Sequence, residues 1–134
     1  MKVVLDTGYC LMVFEESFRL MRIEWKQEIT SEQYRVVFNT ALEFGRNNRV
    51  EYFLSDIRNQ GVVIPTDRKW FEEVVIPHAV KLGLLTAAII FSGNVYQKFY
   101  LNHIYAKIRK YNLPLKFFTS DSEAEEWYSS LLKK

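Results

Sequence analysis

An apolar stretch, Val50 to Leu54, runs out into Ser55-Asp56-Ile57-Arg58-Asn59-Gln60-Gly61, and this is where the chain concentrates residues able to do chemistry. Asp56 and Arg58 stand two apart, and residues two apart on a strand share a face. In open α/β sheets, ligands and partners meet the crevice outside the carboxyl ends of strands. A carboxylate and a guanidinium there can grip a polar group of a partner. They can equally pair with each other and fix the loop, which as a surface pair contributes only ~0–1 kcal/mol. Ile64-Pro65-Thr66-Asp67-Arg68-Lys69-Trp70 follows. Thr66 reads as a helix N-cap. It is also a candidate phosphorylation site, since a phosphate there would meet free amides and a favourable dipole. Asp67 would repel that phosphate, yet in a first turn it suits the same dipole. Asp56, Arg58, Asn59, Thr66, Asp67 and Trp70 are therefore the candidate residues for binding a partner or ligand.

Catalytic patterns are missing. The chain has no GxGxxG, Walker loop, CxxC or HExxH, and Gly61 and Gly93 are too isolated to cradle a phosphate. His78 follows Pro77, and His103 lies among Lys98, Lys107, Arg109 and Lys110; two distant histidines have no metal-ligand spacing. No serine or cysteine can be paired with a base. No catalytic residue, metal or cofactor is expected. The basic face around His103 could meet acidic lipid or a partner, and a solvated face is the simpler reading because Lys and Arg are normally exposed. The single Cys10 excludes an internal disulfide and, set among apolar neighbours, reads as a buried thiol.

The elements that must position these residues follow from periodicity. Alternation on both sides of Glu16-Ser17 predicts an antiparallel hairpin ending at Trp25, with Val3 to Leu5 as an extra edge strand. Thr30-Ser31-Glu32-Gln33 fits a capping box, and Tyr34, Phe38, Ala41, Leu42 and Gly45 continue at helical spacing to Asn47-Asn48. Val50 to Leu54 and Leu84 to Phe91 are apolar on both faces and read as adjacent central strands. Between them a helix capped by Thr66 has Trp70, Phe71, Val74 and Val75 as its buried stripe. Pro77 must kink or restart it, and Gly83 stops it. A helix capped by Asn94 carries Val95, Phe99, Leu101, Ile104, Tyr105 and Ile108 inward. Leu115 to Phe118 is a short strand. The last helix, capped at Ser120, turns Ala124, Trp127, Tyr128 and Leu131 inward, and Lys133-Lys134 suit its dipole.

The expected fold class is α/β: a single domain over residues 1–134, whose mixed sheet begins with an antiparallel hairpin, continues as alternating α and β, and is covered by about four helices. At 134 residues and 49% hydrophobic, the chain can build one core and is not a disordered sequence. A formal charge of +2 is too balanced to imply nucleic-acid binding. The N-terminus has no signal-peptide pattern, and no apolar run approaches the ~20 residues of a membrane span. A cytoplasmic location is the expectation.

The order of these features resembles the small bacterial proteins grouped as SpoIIAA-like or STAS-like, related to STAS and CRAL-TRIO domains. The resemblance is carried by the hairpin ending Ile23-Glu24-Trp25, the capped helix from Thr30 and Leu54-Ser55-Asp56-Ile57-Arg58-Asn59 before Gly61-Val62. It continues in Trp70 to Pro77, Ala87 to Phe91 and Glu126-Trp127, so it spans nearly the whole chain. It implies a mixed sheet covered by helices and a non-enzymatic regulator that binds a protein partner. In the anti-sigma-factor antagonists of that group a serine at a helix start is switched by phosphorylation; Thr66 is the nearest position, and the Asp-Ser-Ser-Gly pattern is absent. The CRAL-TRIO relation implies the alternative, a carrier of a small apolar or lipid-like ligand between sheet and helices. Three tryptophans among many Tyr and Phe also lead to an expectation of a homodimer.

Overall fold

β1 (Lys2–Asp6), β2 (Cys10–Glu15) and β3 (Leu20–Trp25) open the chain, followed by α1 (Ser31–Asn47) and β4 (Tyr52–Asp56). A helical rod comes next, formed of α2 (Pro65–Trp70), a π-helical turn (Phe71–Val75) and α3 (Ile76–Lys81). β5 (Thr86–Ile90), α4 (Val95–Ile108), β6 (Leu115–Phe118) and α5 (Asp121–Ser130) complete it. The computed structural model describes residues 1–131, so Lys133-Lys134 lie outside the described residues.

The six strands lie side by side in chain order. β1, β2 and β3 are antiparallel, and β3 to β6 are parallel. The sheet is thus mixed, with the hairpin first, and β4 and β5 are neighbouring interior strands. β4 begins and ends two residues later than its apolar run suggested: Glu24 pairs with Asp56, and Asp56 with Ile90. Pairing on both sides carries the ladder through to Asp56. That residue is the last of the strand rather than the first of the loop.

Parallel strands added in one direction with one crossover hand put their connecting helices on one face. Accordingly α1, the rod and α4 cover one side, over a core that includes Met12, Ile23, Trp25, Phe38, Ile104 and Ile108. On the other side Leu20, Leu54, Ala88 and Ile90 meet Ala124 of α5, flanked by Trp127 and Tyr128. The alternation of a strand therefore decides which face each candidate serves. In β4, Leu54 looks toward α5. Ser55 looks toward the three-helix side, where its Oγ accepts the Trp25 indole N–H at 2.9 Å.

Three local readings are corrected. Thr66 caps nothing: Ile64 occupies the cap position with no side-chain bond, and Pro65 is the first helical residue. Proline is pre-organised for that position and has no N–H to satisfy, so the helix starts two residues earlier. Second, Val74 is exposed, and the inward side of the rod is Phe71, Glu72, Val75 and Ile76. Pro77 offers no N–H to the carbonyl four residues back. The chain widens the preceding turn instead, with the Ile76 N–H bonding Phe71 O, and this rotates the helix face. Third, Val95, Phe99 and Tyr105 point outward from α4, and Gln97, Tyr100, Leu101, Ile104 and Ile108 are buried. α4 carries apolar residues on more than one side, so spacing alone fits either face.

Candidate functional site

The six candidates fall into separate places. Asp56 and Arg58 meet at the end of β4, on the α5 side of the sheet. Arg58 donates from Nε to Asp56 Oδ1 at 2.9 Å and from a terminal nitrogen to Oδ2 at 2.7 Å, a two-pronged pair. The Arg58 backbone N–H also bonds Asp56 Oδ1 at 3.2 Å. The same guanidinium reaches Asp121 Oδ1 at 3.0 Å, in the first turn of α5. The hydrogen bonds it donates to Asp56, reinforced by Asp121, hold Arg58 even more firmly in its charged form. These groups rim a groove of about 280 Å³ floored by Val13, Leu54 and Ile90. Asp121 joins the site although it lies 63 residues from Arg58; its acidic first-turn position was legible, and its partner was not.

Asp67 and Trp70 lie on the opposite side, between α1 and α2. Asp67 is only 2% exposed. It accepts from Ser31 Oγ and from Arg35 Nε, both at 2.9 Å. The Arg35 guanidinium lies 4.7 Å from the centre of the Trp70 ring, which packs edge-on against Tyr34 and Phe38. Both residues fasten two helices together. Thr66 and Asn59 are exposed.

The loop over residues 57–64 is rigidly placed. Gly61 has φ +82°, and a Cβ there would come within 2.6 Å of Glu28 Cγ, so both backbone and space require glycine. Gln97, buried at the start of α4, spans two loops: its Nε2 donates to Ile57 O at 2.9 Å and its Oε1 accepts from Ser92 N–H at 2.8 Å. Tyr96 Oη accepts from Val63 N–H at 3.1 Å. Around this link apolar side chains stand in solvent. Val62 is 67% exposed, Val95 84% and Phe99 69%, with Ile64 half-exposed. Gln97 was visible in the sequence as the third residue after a cap; its reach across to Ile57 was not.

Two further features lie away from the six candidates. A nearly all-apolar cavity of about 70 Å³ lies between α1, the rod and the sheet, walled by Phe38, Leu42, Phe53, Val75 and Leu82. A groove of about 300 Å³ runs between the rod and α4, lined by Arg68, Lys69, Glu72, His103, Lys107 and Lys110. Lys98, His103, Lys107, Arg109 and Lys110 are all exposed, as a solvated face requires, and His103, Lys107 and Lys110 also line this groove. Deeper in, burial pushes the Tyr34 and Tyr100 hydroxyls upward, so both stay neutral. Burial also pushes the Cys10 thiol up to about 12, which leaves it inert as a nucleophile.

Among the described residues no three His, Cys, Asp or Glu side chains converge as metal ligands. No helix among them is long and apolar enough to cross a membrane. No protein-family model, curated protein or solved structure matches the chain.

Proposed function

We propose that the chain is a non-catalytic interaction module of STAS type, which contacts a protein partner through the loop after β4 and the surface beside it. The observation that carries this is the apolar ridge of Val62, Ile64, Val95 and Phe99, held up to solvent by the Tyr96–Val63 and Gln97–Ile57 bonds. Exposed apolar side chains grouped on a rigid frame favour contact with another protein. A rigid frame also spares the ordering cost that a mobile loop would add on binding. Asp56 and Arg58 then set the frame from below rather than touching the partner, because their charges already satisfy each other. A photo-crosslinking residue in place of Val95 should capture one protein in cells, a second copy of this chain being one outcome. The purified partner should bind a Val62→Ser/Phe99→Ser variant at least tenfold more weakly than the wild type. No crosslink from this face, or an unchanged affinity, would overturn the proposal.

A carrier of a small apolar ligand is the second reading, favoured by the apolar cavity beneath α1 and the rod. Its volume of about 70 Å³ is roughly half of the ~150 Å³ that accommodates benzene in an engineered cavity. It suits a short alkyl group and not a lipid chain, which places this reading behind the first.

A further inference from the structure

The groove between the rod and α4 gathers in one place four basic side chains without a carboxylate partner among the described residues. Arg19, Arg22, Lys26, Arg35, Arg46, Arg49 and Arg58 each have a carboxylate within 4.0 Å. Arg68, Lys69, Lys107 and Lys110 share one groove, and none of them has such a partner among the described residues. The Arg68 Nε is buried and makes no hydrogen bond. Its guanidinium rests 5.9 Å from the centre of the Tyr100 ring, which holds it in place without using its donors.

Glu72 supplies the second, independent observation. It is 7% exposed, lines the groove, and its Oε1 is buried with no hydrogen-bond donor. His103 Nε2 comes to 3.3 Å of that oxygen without the direction of a hydrogen bond. A buried carboxylate oxygen left without a donor costs on the order of 1–3 kcal/mol or more. Glu72 is the second residue of the π turn that precedes Pro77, and it is buried there. Donors without acceptors thus surround an acceptor without a donor, in a space at the lower end of ligand-pocket volumes.

We infer that this groove binds a phosphate group carrying a hydroxyl, whose anionic oxygens sit among Arg68, Lys69, Lys107 and Lys110 while the hydroxyl donates to Glu72. The carboxylate is the discriminating element. A fully deprotonated anion of the same shape has no hydrogen to offer it and meets repulsion there instead. Exposed Glu73, also on the groove wall, limits the excess positive charge and with it any unselective attraction of anions. The phosphate could arrive as a free phosphate monoester or as a lipid headgroup, and the groove chemistry is the same for both. The inference goes beyond the protein-partner proposal and does not rest on it, since the two surfaces use different residues.

The test uses the whole chain and inorganic phosphate at neutral pH, where every ion keeps at least one P–OH, against sulfate, which has the same tetrahedral shape, the charge of the phosphate dianion and no hydrogen. Calorimetric titration should give phosphate at least tenfold tighter than sulfate. Lys107→Met, on an exposed position, should weaken phosphate severalfold, and Arg68→Met at least tenfold. Glu72→Gln keeps the size and gains a donor, so sulfate should gain and the preference should fall to near unity. Equal binding of the two anions by the wild type, or an unchanged preference in Glu72→Gln, would overturn the inference. So would failure to bind phosphate, glycerol 3-phosphate and vesicles containing phosphatidic acid alike. Binding to glycerol 3-phosphate in solution identifies the free monoester as the ligand source. Binding only to phosphatidic acid vesicles, with phosphatidylcholine vesicles silent and the Arg68→Met loss retained, identifies the headgroup.

Discussion

The end of β4 and the groove between the rod and α4 are built from the same side-chain types and behave in opposite ways. At the strand end, Asp56 and Arg58 lie two apart on one face, and every charge finds a partner: two prongs, a backbone N–H and Asp121 across the gap. In the groove, Arg68 and Glu72 are four apart on a helical rod, a spacing that ordinarily pairs them. They form no ion pair: Glu72 is buried, and Arg68 rests beside Tyr100. The difference separates charges that serve the fold from charges that await something. A saturated cluster contributes rigidity. An unsaturated buried one lowers stability unless a ligand completes it.

Two buried carboxylates on the rod give the sharpest contrast, and the largest expected effect. Asp67 has both Ser31 and Arg35; Glu72 Oε1 has no donor. Asp67→Ala should cost about 2–3 kcal/mol in urea unfolding, since it strips a buried charged acceptor from two donors. Arg35 is partly exposed and can turn to water, which keeps the loss below that of a fully buried pair. A loss under about 1 kcal/mol would mean that Asp67 is free to be a contact residue after all.

Next in size is the strand-end cluster. Asp56→Ala should cost about 1–2 kcal/mol, more than an ordinary surface pair, because Asp56 accepts three bonds and is mostly buried. Asp121→Ala, whose carboxylate is largely in solvent, should cost under about 0.5 kcal/mol. A double-mutant cycle between Asp56 and Arg58 should show positive coupling, and none between Lys69 and Lys107. Equal losses for Asp56 and Asp121 would erase the distinction drawn between saturated and unsaturated charge.

How far this could be read from the chain follows the range of the interactions involved. The α/β order, the neighbouring β4 and β5, the Thr30 capping box and the Asn94 cap all rest on contacts within a few residues or on simple periodicity, and these were legible. So was the closeness of Asp56 and Arg58. Asp121 and the Asp67–Arg35 tie join residues 63 and 32 apart, and no local pattern specifies them. The α4 stripe was ambiguous because apolar residues occupy more than one of its sides. The groove escaped notice for a different reason. Pro77 announced a break in helical geometry, but neither the π turn that forms before it nor the packing of the rod against α4 is written in a local pattern.

A smaller effect, of opposite sign, is expected at Glu72. Replacing an unsatisfied buried carboxylate by a neutral amide removes a desolvation penalty, so Glu72→Gln should leave stability unchanged or raise it by up to ~1 kcal/mol without ligand. With phosphate present the wild type should gain thermal stability by mass action, and the variant should lose its preference for phosphate over sulfate. A clear destabilisation of Glu72→Gln in the absence of any anion would show that His103 already satisfies the carboxylate. The groove would then belong with the strand end as a saturated cluster.

The smallest effect separates two threonines that look alike in sequence. Thr30 and Thr66 both precede helical stretches, and only Thr30 caps: its Oγ1 accepts from Gln33 N–H at 3.1 Å while Gln33 Oε1 accepts from Thr30 N–H at 3.0 Å. Thr66 lies one residue inside α2, behind Pro65, with its side chain exposed and no cap bond at Ile64. Thr30→Ala should therefore cost about 1 kcal/mol. Thr66→Ala should change stability by no more than ~0.5 kcal/mol and in the favourable direction, since alanine is the better helix former. Thr66→Glu carries the same test to the switch idea. A negative charge in a first turn is mildly favourable for the helix, though Asp67 next to it opposes the gain. If Thr66 is only an exposed helical residue, Thr66→Glu binds the protein partner as the wild type does. A tenfold change in that affinity, with stability unmoved, would make Thr66 a regulatory position that its lack of structural duty leaves free to be modified.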